Sequence, residues 1–211
     1  MSNTFISRFI YKRFPLFISY AFHPLLLPTL GVYIILNSGT YISLMPSEAK
    51  NIIMLLVGTC TFGLPLAFVP FFQYRKITSS IMMDQAQERT IPLLITASFY
   101  YLAFYLLRRM GVPLIIQAFI LASSIAVTVT LLITSKWKIS AHMIGIGGLL
   151  GLLVSLGALQ DANIVLFLMI GVLISGLTGF ARLSLNSHTP SQVYAGLAIG
   201  FILTVTTMFL F

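Results

Sequence analysis

Arg182 and His188 stand six positions apart in ARLSLNSHTPSQV (181–193), the last polar break before the C-terminus, between two long apolar runs. Two other polar segments hold the same residue types: Arg89 lies in DQAQERTIP (84–92) and His142 in KWKISAHMIG (136–145). An arginine keeps its charge and offers a planar fork of N–H donors suited to oxyanions. A histidine changes protonation near neutral pH, so it can take up or release a proton. Together the four side chains have the means to hold an anion and to move a proton beside it. Whether they act together depends on the elements that carry them.

Those elements follow from composition. The 211-residue chain is 58% hydrophobic and 8% charged, with a mean hydropathy of +1.02. A soluble domain of this size has too much surface for its volume to hide so much apolar area. Several apolar runs reach the roughly 20 residues that a helix needs to cross a bilayer. The composition predicts an all-α, polytopic transmembrane helical bundle, a single integral membrane domain over 1–211 whose surroundings are the lipid bilayer of a cell (inner) membrane. Seven spans fit the hydropathy, at 16–37, 51–72, 92–109, 112–134, 140–159, 163–180 and 190–211, with six as the other count. The third and sixth are short for a full crossing. The N-terminal MSNTFISRFIYKRF is short, basic and without a small-residue cleavage site, so it reads as leading into a retained first helix. Lone Cys60 falls inside an apolar run and reads as a small buried hydrophobe.

The net charge of +8 does not point to nucleic acid, because the basic residues are scattered singly or in pairs between spans. The longest polar connection, Gln73 to Ile91, has no room for a soluble domain, so chemistry must be built from loops and helix ends. Seven spans put Arg8, Lys12, Arg13, Arg75, Lys76, Arg89, Lys136, Lys138 and Arg182 on one side, against Lys50, Arg108 and Arg109 on the other. The positive-inside rule makes the first side, with the N-terminus, cytoplasmic. The same topology returns Arg89, His142, Arg182 and His188 to one surface, because each is separated from the next connection by a pair of spans.

The three segments resemble the motifs of the type 2 phosphatidic acid phosphatase superfamily, membrane enzymes and relatives that cleave phosphomonoesters or pyrophosphates of lipids. That family carries K-x6-R-P, then P-S-G-H, then S-R-x5-H-x3-D. Here the third motif stands as Ala181, Arg182, five residues, His188, three residues and Gln192; the second as Ile139, Ser140, Ala141 and His142; the first as Arg89 followed by Thr90, Ile91 and Pro92. The resemblance covers about residues 80–211, and the intervals 93–138 and 143–180 each suit two spans.

The resemblance implies phosphoryl transfer, in which fixed cations and N–H donors neutralise spread negative charge. It makes His188 the nucleophile that forms a phosphohistidine and His142 the general acid. Arg182 and Arg89 become phosphate clamps, Lys138 (or Lys136) a further cation, and Ser140 a hydroxyl donor. The scheme implies no metal and no cofactor, and its partner is a phosphorylated lipid. Three positions depart from the pattern. Gln192 replaces the aspartate that holds the nucleophile's tautomer, and accepts the same Nδ1–H bond without a full negative charge. Met82 replaces the lysine, and Ala141 a glycine. Asp84 or Glu88 is a candidate to supply the missing charge. Two functions follow: a phosphatase or phosphotransferase acting on a lipid phosphate or diphosphate, or a weakened or inactive relative that binds or translocates a phosphorylated headgroup.

Blander readings compete at each position. Arg182 and His188 taken alone suit interfacial side chains snorkelling to headgroups. Lys136 and Lys138 flank Trp137 as an interfacial belt does. His23, in SYAFHPLLLP, reads first as a partner for carbonyls freed by a kink at Pro24 and Pro28. Asp84, Glu88 and Arg89 read as a structural salt-bridge set. The glycines of MIGIGGLLGLLVSLG and GVLISGLTG read as close helix contacts. Pro190 places His188 at a helix N-terminus, whose dipole lowers its proton affinity.

Overall fold

The computed structural model describes residues 13–75 and 87–211. Among them every regular element is helical. Two short helices come first, α1 (Phe14–Ala21) and α2 (Leu27–Leu36). Six longer ones follow: α3 (Ser47–Tyr74), α4 (Thr90–Arg109), α5 (Leu114–Thr134), α6 (Ala141–Gln160), α7 (Val165–Ser184) and α8 (Pro190–Leu210). Each of the six is long and apolar enough to cross a membrane. The protein is thus an all-α polytopic bundle. The helices α4 and α7, expected to be short, run 20 residues each. At 1.5 Å per residue that is about 30 Å, a full hydrocarbon core.

The expected first span, 16–37, is not one helix. Proline has no N–H to give and disfavours helical backbone in the residue before it, so the chain leaves α1 before Pro24. Helix α2 starts at Leu27 with Pro28 in its first turn, where the missing N–H costs nothing. In α3 the strain of Pro65 and Pro70 is absorbed differently. A π turn at Thr59–Gly63 precedes Pro65, and Thr61 within it bonds Thr29 of α2 at 3.0 Å between hydroxyls.

The core lies toward one end of the bundle, where Val32, Ile35, Leu36, Ile53, Leu107, Ile116, Leu152 and Leu156 pack together. At the other end α6 and α8 approach backbone to backbone. A Cβ on Gly147 would fall on the Leu197 carbonyl, and one on Gly200 on the Ile144 carbonyl. A Cβ on Gly196 would come within 2.9 Å of the Ser140 carbonyl. The close-contact reading holds for Gly147 and Gly151 of α6 and for Gly171 of α7, where a Cβ would come within 2.8 Å of the Leu150 side chain, while Gly176 of α7 faces open space. Gly200→Ala should therefore lower stability by about 1–3 kcal/mol or more through overpacking. Gly176→Ala should leave it unchanged or raise it by up to about 1 kcal/mol from helix propensity. Thermal unfolding of both variants in detergent compares the two.

Candidate functional site

The site begins with the way α7 ends. Asn186 adopts a left-handed conformation (φ 51), which asparagine tolerates better than most residues. Its N–H donates to the Leu183 carbonyl at 2.9 Å, and the Ser187 N–H donates to the Arg182 carbonyl at 3.2 Å. This is a Schellman closure. Two residues later Thr189 caps α8 through a capping box with Gln192, and Pro190 occupies the first turn. Five residues between Arg182 and His188 are what this closure and cap require, so the spacing has a backbone cause.

Gln192 has two tasks. Its Oε1 accepts the Thr189 N–H at 3.1 Å and also lies 3.2 Å from His188 Nδ1. The Lys138 carbonyl lies 3.2 Å from the same nitrogen. Both partners are acceptors, so Nδ1 carries the proton and Nε2 keeps its lone pair. His188 itself is 8% exposed. Burial is the first cause that lowers its proton affinity, followed by the charges of Arg182 and Arg89; the bonds to Gln192 and Lys138 act in the opposite direction. Its pKa falls from 6.5 to about 4.

The broken first segment supplies the opposite wall. Helix α1 packs against α7 and brings Ser19, 4% exposed, to the end of that helix. Arg182 Nη1 donates to Ser19 Oγ at 3.2 Å, and the Ser19 carbonyl lies 3.1 Å from His142 Nε2. A carbonyl only accepts, so His142 carries a proton on Nε2. The ring of His23 stands edge-on to that of His142, with centroids 5.7 Å apart. In the turn before α2, His23 Nδ1 accepts the Leu25 N–H at 3.4 Å. His23 is thus an acceptor for an N–H group, contrary to the expectation that it serves a freed carbonyl.

These groups line one cavity of about 220 Å³. Its polar end holds Ser19, His23, Arg89, His142, Arg182 and His188, without an acidic residue among the described lining residues. Its other walls are largely apolar, including Leu27, Phe72, Leu93, Phe119 and Ile144. Among the described residues no three His, Cys, Asp or Glu side chains converge as metal ligands.

The structure brings together Arg89, His142, Arg182 and His188, with Gln192 behind His188. It does not bring Ser140 to the cavity. That residue is fully buried and caps α6, its Oγ accepting the Met143 N–H at 3.5 Å, so the expected hydroxyl donor is a structural cap. Lys138 is not among the residues lining the cavity and contributes its main-chain oxygen to His188. Asp84, the candidate counter-charge, lies outside the described residues. Ser19 was not legible as a site residue. A lone serine in an apolar segment carries no motif, and its one signal is the four-residue spacing to His23.

An all-α, multi-pass membrane protein with a cationic, histidine-lined cavity at one end of its bundle is the class that fold and site define. No protein-family model matches the chain, and comparison with curated proteins and with solved structures returns no match.

The state of His188 is measurable directly. Its folded value lies below that of an unfolded histidine, so the unfolded chain binds the proton first as pH falls. The stability it contributes is complete above about 6.5 and is lost as pH drops toward about 4. An NMR titration of ring-labelled protein, assigned with His188→Gln, should place the His188 midpoint near 4. A midpoint at the ordinary 6.5 would contradict the burial and the two neighbouring arginines.

Proposed function

We propose that the protein is an integral membrane phosphatase or phosphotransferase that acts on a lipid phosphate or diphosphate through a phosphohistidine at His188. One observation carries this reading: two carbonyl oxygens hold the His188 Nδ1–H, which leaves Nε2 as the free nucleophilic atom on a ring lining a cavity that Arg89 and Arg182 also line. The ring is neutral at physiological pH, which a nucleophile requires. The resemblance of the three polar segments to lipid phosphatase motifs supports the same assignment.

The reaction runs in two steps. His188 Nε2 attacks phosphorus while the bond to the lipid oxygen breaks, and Arg89 and Arg182 neutralise the three peripheral oxygens. The leaving oxygen takes a proton from His142. Because His142 Nε2–H is held by the Ser19 carbonyl, the mobile proton is the one on Nδ1 of the imidazolium. Water then attacks the phosphohistidine, His142 Nδ1 takes its proton, and inorganic phosphate leaves with His188 neutral again.

The phosphorylated His188 ring is an imidazolium whose Nδ1–H faces two neutral oxygens instead of a carboxylate. That favours a second reading, a weakened or silent relative that binds or translocates a phosphorylated headgroup. Purified protein in detergent should release phosphate from phosphatidate, and His188→Ala should reduce that release by at least about ten-thousandfold. Equal turnover by both proteins would remove the nucleophile assignment. Gln192→Glu keeps the length, the cap and the bond to Nδ1 while adding a charge. It should raise His188 proton affinity, move the acid limb of activity upward from about 4, and speed turnover by about tenfold or more. Phosphatidate bound without any acid-labile phosphohistidine, in wild type and in Gln192→Glu, would favour the binding protein.

A further inference from the structure

The segment that breaks the first span lies outside the region of motif resemblance, yet it contributes a third histidine to the cavity. The ring of His23 has one nitrogen already engaged: Nδ1 accepts the Leu25 N–H at 3.4 Å, an i to i+2 bond that closes the turn before α2. A nitrogen that accepts from an amide holds no proton, so the neutral ring carries its hydrogen on Nε2. The opposite case holds for His142, whose Nε2–H is committed to the Ser19 carbonyl. His23 therefore brings an N–H donor to a cavity whose described polar lining is cationic or neutral and includes the guanidinium groups of Arg89 and Arg182. A donor in that setting suits a phosphate oxygen and no cation.

We infer that His23 is a binding residue for the phosphate group, donating from Nε2 to a non-reacting oxygen, and that the break between Ala21 and Leu27 places it. This rests on the reading of the cavity as a phosphate site. The break then has a use beyond accommodating Pro24: an unbroken helix would have its own i to i+4 bonds and no turn for His23 Nδ1 to close.

Two isosteric substitutions separate a ligand from a turn-former. His23→Asn retains an acceptor where Nδ1 stands and can close the same turn onto the Leu25 N–H, but it cannot reach as Nε2 does. His23→Gln retains an N–H donor near the Nε2 position and leaves the turn unclosed. The probe is inorganic phosphate, bound to the full chain in detergent micelles and measured with radiolabelled anion. Wild type should bind it, His23→Gln should stay within about threefold of wild type, and His23→Asn should bind about tenfold or more weakly. Retained binding by His23→Asn with loss in His23→Gln would make His23 a structural residue and overturn the inference. Equal binding by all three proteins, or equal loss in both variants, would overturn it as well. Wild type that takes up no phosphate would overturn the phosphate-site reading itself, so the two failures are distinct. A second arm displaces bound phosphate with dioctanoyl phosphatidate. Stronger competition than by the free anion identifies a lipid headgroup as the source, equal competition a free phosphate, and the donor role of His23 is supported by either.

Discussion

The arrangement depends on keeping a guanidinium inside an apolar bundle. Arg182 is 5% exposed at the last turn of α7, and a charge so buried must be met by oriented polar groups, because desolvation costs several kcal/mol (order of magnitude). One of those groups is the hydroxyl of Ser19 on α1. The demand of Arg182 therefore reaches across the molecule to the first segment and fixes how α1 lies on α7. Once Ser19 is placed, its carbonyl fixes the ring of His142, and four residues further on the broken chain sets His23 beside that ring. The geometry of the cavity's polar end follows from satisfying one buried cation.

Main-chain and amide oxygens take the place that carboxylates occupy in many histidine-based sites. His188 is held by the Lys138 carbonyl and Gln192 Oε1, and His142 by the Ser19 carbonyl. A neutral acceptor fixes a tautomer as firmly as a carboxylate does, but it stabilises an imidazolium less. The consequence is a site where burial and arginine charge prevail, with His188 kept neutral and its pKa pushed down to about 4. Such a site is costly to protonate. Loss of the Gln192 side-chain oxygen would also uncap α8, since the same oxygen caps the helix through Thr189.

Much of this was legible in the sequence, for physical reasons that differ by residue. The helical bundle followed from apolar length, which nothing but a membrane-spanning fold could hide. The meeting of Arg89, His142, Arg182 and His188 followed from hairpin topology, since pairs of spans return the chain to one surface. Ser140 was misread because a serine before a helix serves equally as cap and as ligand, and only burial separates the two. The role of Lys138 was hidden because a main-chain oxygen has no residue type. His23 and the kink at Pro24 and Pro28 were visible, but the histidine read first as a partner for freed carbonyls; Ser19 was hidden, because hydropathy does not show that the mostly apolar segment breaks into two helices. The contribution of the first segment is a tertiary fact, created by the packing of α1 on α7.

The cavity's polarity argues about the shape of what enters it. One end gathers the arginines and histidines, while the other walls are built from leucine, isoleucine, phenylalanine and proline side chains. Three of the hydroxyls along that stretch add little polarity, because Thr96, Ser123 and Thr130 each donate back to the carbonyl four residues earlier in their own helix. Serine and threonine so bonded present mainly carbon to the space beside them. A small, uniformly polar anion would use the arginine end and leave the remaining surface without a partner. A molecule with an anionic head and an apolar chain matches both parts, and burying the chain supplies binding free energy at roughly 25 cal/mol per Å². Affinity from the chain and orientation from the arginines would then come from different walls of one cavity. Under the phosphatase reading proposed above, that division would let the reacting end be held against His188 Nε2 by groups that need not also supply the affinity.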